Sequence, residues 1–177
     1  IPSTMSSGIY HGTITNIASS PLVRGRTISS DTFDYAYPSI AFAGKNVSEN
    51  SMVMTFSHVS ELDFPGTSAM FYTFKDGVDD WYSPVIMVKQ GDSVINSFLA
   101  DSIERWGDYT DIQRKLNSPQ KACWLAGSYP FGDTLNFFGV RWGVNTWIAE
   151  IGDSNITSRD KPGQIHSLTL YPNPSNG

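Results

Sequence analysis

Ser39-Ile40-Ala41-Phe42, Val53-Met54-Thr55-Phe56, Phe71-Tyr72-Thr73-Phe74 and Val85-Ile86-Met87-Val88 are four short apolar runs separated by polar loops. Each has the length of a strand and is too short for a helix. The second sits inside Ser51-Met52-Val53-Met54-Thr55-Phe56-Ser57-His58-Val59, which carries apolar residues on both alternating faces. It reads as a sheet-interior strand covered on two sides. Tyr37-Pro38 opens the first run, where the missing proline N–H costs least. Asp76-Gly77, between the third and fourth runs, is the strongest short hairpin signal in the chain. Together the four predict one antiparallel meander of roughly 50 residues, the size of a propeller blade.

Outward from this meander the period stays at two. Upstream, Ile9, His11, Thr13, Thr15 and Ile17 alternate with Tyr10, Gly12, Ile14 and Asn16. Downstream, strands are predicted over Lys121–Ala126, Asn136–Trp142 and Thr146–Ile151. Ser97–Arg105 is the one stretch with any helical character, and its periodicity is poor. No crossover helix separates the strands, which excludes a parallel α/β sheet. The fold class is therefore all-β with antiparallel sheets. At four strands per blade the chain holds about two to three blades, and propellers close with roughly four to eight. A propeller reading thus makes residues 1–152 a partial propeller that another part of a parent protein, or a second chain, completes. A self-sufficient β-sandwich is the alternative.

Composition agrees. Hydrophobic residues make up 40% and charged residues 16% of the 177, so the chain is neither a disordered acidic tail nor a coiled coil. The net charge of −5 leaves no general footprint for nucleic acid or anionic membrane. No apolar run approaches the roughly 20 residues of a membrane span. A single cysteine, Cys123, excludes an internal disulfide framework, and its apolar strand context points to burial. The opening Ile1-Pro2-Ser3-Thr4 is not a leader, so the chain reads as mature or as part of something longer.

Two stretches resemble known families. Arg105-Trp106-Gly107-Asp108-Tyr109, Ala122-Cys123-Trp124-Leu125-Ala126-Gly127-Ser128-Tyr129 and Trp142-Gly143-Val144-Asn145-Thr146-Trp147-Ile148-Ala149 resemble the last part of secreted bacterial β-propellers of the sialidase-like, BNR-repeat superfamily. Tyr37-Pro38-Ser39-Ile40-Ala41 resembles the strand opening an earlier blade. Ser167–Gly177, with Leu170-Tyr171-Pro172-Asn173-Pro174, resembles the start of the type A C-terminal sorting domain of the type IX secretion system. The second resemblance implies a linker over 153–166 and a truncated sorting domain over 167–177. It also implies export to the outside, or to the outer surface, of a Gram-negative bacterium.

The chemistry these resemblances invite is thin. Sialidases use a tyrosine nucleophile, and the family binds its substrate's carboxylate with an arginine triad. The family's Asp-box is absent, and no catalytic residue carries over by motif. Arg105, Trp106, Asp108 and Tyr109 form the sharpest polar-aromatic cluster and the candidate ligand site; the competing role is a structural turn at Gly107. Asp101, Glu104, Asp108 and Asp111 could offer oxygens to calcium, but not at calcium-loop spacing, so no cofactor is expected. His11 and His58 read as hydrogen-bonded sheet residues, not zinc ligands. Ser93, Ser102 and Thr134 lie in Asp-Ser/Thr-apolar triplets, which resemble the O-glycosylation sequon that accompanies such secretion. The leading expectation is a non-catalytic exported protein that binds a glycan or surface protein, or forms surface material. The alternatives are a sialidase-like glycoside hydrolase and the accessory propeller of a larger secreted hydrolase.

Overall fold

The computed structural model describes residues 6–44, 46, 49–74, 80–95, 107–108, 110–118, 121–136, 139–153 and 167–171. Side chains are described for all of these except 121, 132–136, 139–149, 152–153 and 167–171. Every regular element among the described residues is a β-strand, and every pairing is antiparallel. Strands β1 (Ile9–Thr15) and β2 (Leu22–Ile28) form a hairpin. Strands β3 (Asp34–Phe42), β4 (Ser51–Val59), β5 (Gly66–Thr73), β6 (Trp81–Tyr82) and β7 (Ile86–Lys89) form a five-stranded sheet, with both β6 and β7 on β5. Strands β8 (Asp111–Arg114), β9 (Lys121–Asn136), β10 (Gly139–Asp153) and β11 (Ser167–Tyr171) form a four-stranded sheet in the order β11-β10-β9-β8.

The meander expected over residues 39–88 is present as β3, β4, β5 and β7. As expected, β4 is covered on both sides: every residue from Val53 to His58 is buried. Its odd-numbered face, with Val53, joins Ala43, Ala69 and Val88 against Ile112, Cys123, Leu125 and Ile151 of the four-stranded sheet. The two sheets thus pack face to face over one aliphatic cluster. The even-numbered face of β4, with Met54 and Phe56, joins Tyr35, Met70 and Tyr72 beneath Ile9 and Ile28 of the β1–β2 hairpin. Both larger sheets are open, and their stacking is compatible with a sandwich.

Several sequence expectations shift in detail. Pro38 does not open β3; it lies within it, at a bulge that shifts the β3–β4 register between Ala36 and Ser39. An edge strand with a bulge is the other place a sheet tolerates proline. The run at 81–88 breaks at Ser83-Pro84-Val85 into β6 and β7. The three strands expected after residue 120 merge into the long β9–β10 hairpin. Strands β2 and β8 were not anticipated, because Arg24, Gly25 and Arg26 in one and Asp111, Gln113 and Arg114 in the other break the apolar run. Asp76-Gly77 and all of 97–105 lie outside the described residues. Cys123 is fully buried and unpaired, as its context implied, and burial pushes its thiol up to about 11.

Candidate binding cleft

The bulge in β3 positions an exposed aromatic side chain, Tyr37, within the strand. Tyr35 pairs with His58 and Ala36 with Ser57, but pairing resumes only at Ser39 with Thr55. Tyr37 and Pro38 therefore share the space opposite Phe56, the geometry of a bulge. Tyr37 takes a positive φ of 52°. A bulky residue in that region is strained, by roughly 1–3 kcal/mol, and such strain clusters at functional sites. Thr110 Oγ1 donates to the Tyr37 carbonyl and helps hold the conformation.

The strained tyrosine, 45% exposed, borders a cleft of about 580 Å³. The cleft runs between the start of β3 (Asp34, Ala36), the end of β4 (Ser57, His58) and the 60–65 loop. In that loop Ser60 Oγ accepts the backbone N–H groups of Leu62 and Asp63 at 3.1 and 2.9 Å. This turn presents Leu62 and Phe64 at the surface, beside the carboxylates of Glu61 and Asp63. Asp34 Oδ1 accepts the Ser7 amide and ties the segment before β1 to the cleft wall. No Lys or Arg lines the cleft among the described residues.

His58 forms the cleft's floor and is almost completely buried. Its Nδ1 lies 2.8 Å from Ser68 Oγ. Gln90 is oriented by its Nε2 donating to the Phe64 carbonyl at 2.9 Å. Gln90 Oε1 and His58 Nε2 are both buried without a completed hydrogen bond, yet Gln90 is close enough to favour the imidazolium. Burial outweighs Gln90 and the Asp63 charge and holds the His58 pKa below its ordinary value. The ring needs Gly66 opposite: a Cβ there would lie 2.7 Å from His58 Nε2 and 2.3 Å from the Lys89 carbonyl. His58 is a hydrogen-bonded sheet residue, as read from the sequence.

Gly107 lies against two residues of the cleft wall, Ser57 and Tyr37. Gly107 has φ +78°, and a Cβ there would sit 3.0 Å from Ser57 Oγ and 3.3 Å from the Tyr37 ring. Gly107 thus holds the left-handed backbone region that favours glycine, against the β3–β4 wall. Asp108 follows, half-buried, while Arg105, Trp106 and Tyr109 lie outside the described residues. Of the expected modification sites, Ser93 is 4% exposed with its hydroxyl buried and unpartnered. Ser102 lies outside the described residues, and Thr134 is placed in β9 by its backbone alone. In the stretch that resembles a sorting signal, Leu170 and Tyr171 pair with Ala149 and Ile148 of β10, and Pro172, Asn173 and Pro174 lie outside the described residues. From the sequence Tyr37 reads as part of a strand and not as a site; the Tyr-Pro step and the Leu62-Asp63-Phe64-Pro65-Gly66 turn are the signals the sequence offers.

A second polar cluster lies under the hairpin. His11 Nδ1 is 2.8 Å from the Tyr82 hydroxyl, and its ring packs edge-on to Tyr72 at 4.4 Å. The Arg26 guanidinium stands 4.5 Å over the Tyr82 ring. The Tyr72 hydroxyl, Thr13 Oγ1 and Asp80 Oδ1 are buried there without completed hydrogen bonds. Burial pushes Tyr72 up to about 12, opposed by Thr13 and reinforced by Asp80 and Tyr82. Burial also raises Tyr82 and lowers His11. Burial thus favours the neutral form of both partners. Among the described residues no three His, Cys, Asp or Glu side chains are grouped to hold a metal, and no helix is long and apolar enough to cross a membrane. No family model matches the chain, and comparison with curated proteins and with solved structures gave no match.

Proposed function

We propose that this chain is an exported, non-catalytic binding protein whose cleft beside Tyr37 takes a neutral glycan. The observation that carries this reading is the strained bulge, which presents an exposed aromatic ring over a carboxylate- and hydroxyl-lined cleft. A sugar offers an apolar C–H face to an aromatic ring and hydroxyls to carboxylates, and about 580 Å³ lies within the usual range of small-molecule sites. An acidic lining without Lys or Arg favours a neutral sugar over a sialic acid, whose carboxylate needs guanidinium partners. The tyrosines set among polar groups, Tyr72 and Tyr82, have raised pKa values, the opposite of what activates a nucleophile.

The stacked sheets are read as successive blades of a sialidase-like propeller: each contains a four-stranded antiparallel meander. Export rests on the likeness of Leu170-Tyr171-Pro172-Asn173-Pro174 to a type IX sorting domain, and places the protein outside the cell or on its outer surface. Further polypeptide, from a parent protein or a second chain, completes the sheets. Glycan-array and calorimetric binding test the cleft. Tyr37→Ala and Phe64→Ala should each weaken a bound neutral glycan by about tenfold or more. Retention of no glycan by the parent chain, or equal binding by both variants, overturns the reading. Turnover of a glycoside would move the chain to the hydrolase class.

A further inference from the structure

Among the described residues the β1–β2 hairpin is a sheet of two strands with both edges open. Among the described residues no backbone hydrogen bond joins Ile9–Thr15 to any strand but β2, nor Leu22–Ile28 to any strand but β1. The two edges differ in chemistry. Strand β2 carries Arg24 and Arg26 on either side of Gly25, and every residue from Leu22 to Thr27 is exposed. Antiparallel pairing of β2 with a copy of itself about Gly25 would set Arg24 opposite Arg26, like charge on like charge. Charged edges of this kind protect a sheet from unwanted pairing. Strand β1, Ile9-Tyr10-His11-Gly12-Thr13-Ile14-Thr15, has no carboxylate, Lys, Arg or Pro.

Strand β1 is also complementary to itself. Antiparallel pairing about Gly12 sets Tyr10 opposite Ile14, His11 opposite Thr13, and Ile9 opposite Thr15 of a second copy. Tyr10 and Ile14 share the outward face of the hairpin, 65% and 58% exposed, and Val23 lies beside Ile14 across the ladder. Aromatic and β-branched residues facing each other across strands are stabilising pairs. We infer that two copies of this chain associate through β1, in antiparallel register centred on Gly12, to form a four-stranded sheet β2-β1-β1-β2. The sheet has the strand number of the one formed by β8–β11. Its outer edges are then both the arginine-bearing β2, which stops growth at the dimer.

This deepens the partner part of the proposed function, naming a second copy as the partner and β1 as its surface; the glycan cleft stands or falls separately. Sedimentation equilibrium of the full 177-residue chain tests it. The parent chain should associate to twice its monomer mass. Tyr10→Lys with Ile14→Lys places ammonium opposite ammonium and should leave only monomer, with its melting in dilute solution unchanged. Tyr10→Glu with Ile14→Lys places opposite charges across the axis and should restore a dimer that weakens with salt. Gly12→Cys should give a disulfide-linked dimer on mild oxidation, whereas Thr27→Cys should not; buried Cys123 stays silent in both. A parent chain that remains monomeric at its highest soluble concentration overturns the inference. So does a Lys/Lys variant that dimerises as well as the parent, or a Thr27→Cys chain that crosslinks as readily as Gly12→Cys. Glycan retention by the Lys/Lys variant reads the cleft alone.

Discussion

The two faces of the five-stranded sheet bury comparable stretches of the same strands with different chemistry. Toward the four-stranded sheet lie Val53, Ala69 and Val88, small residues that meet Ile112, Cys123, Leu125 and Ile151. Toward the hairpin lie Met54, Phe56, Met70 and Tyr72. The small side chains let two sheets approach closely: a Cβ on Gly127 of β9 would sit 2.5 Å from Thr67 Oγ1 of β5. The large ones hold a two-stranded ribbon away from the sheet and leave room for polar tips, among them His11, Tyr82 and Tyr72. One face is thus an aliphatic joint and the other an aromatic joint with histidines and tyrosine hydroxyls inside it.

Truncation at each joint should have the largest effect. Phe56→Ala and Leu125→Ala remove fully buried side chains from opposite faces. Each should cost about 3–5 kcal/mol in denaturant melts. If only one does, the two faces do not share a cooperative unit. Overpacking separates them more sharply. Ala69→Leu pushes three extra carbons into the close sheet-to-sheet contact and should cost about 1–3 kcal/mol, while Met70→Leu beside it on the aromatic face should cost less than about 1.5 kcal/mol. Equal costs would mean that the joints are equally tight.

The smallest effects are those of pH. His11 and His58, both on the aromatic face, have pKa values below their ordinary 6.5. The unfolded chain therefore binds protons first, and stability should fall as the pH drops below about 6.5. On the alkaline side Tyr72 is raised from 10 to about 12 and Cys123 from 9 to about 11. Their contributions are complete below 9 and should be lost as the pH climbs through the folded values. Tyr72→Phe should remove the part that begins near 10, and Cys123→Ala the part that begins near 9. Melting curves against pH check both. An acid limb unchanged when His11 and His58 are each replaced by Gln would remove the titrating groups from the account of the aromatic joint.

The all-β class, the central meander and the two-sided burial of β4 were legible in the residues. Alternation and run length are local properties, and β4 shows both faces within nine residues. The burial of Cys123 and the hydrogen-bonded state of both histidines were likewise readable from their neighbours. The cleft was not. Pro38 looked like a strand opener, and only the partner strand shows an extra residue accommodated opposite Phe56 and Tyr37 turned to positive φ. The place of Gly107 against Ser57 and Tyr37 joins residues some fifty and seventy positions apart, which no local pattern encodes. Which sheet each face of β4 meets was undetermined for the same reason: a period of two says that both faces are covered, and only the tertiary packing decides by what.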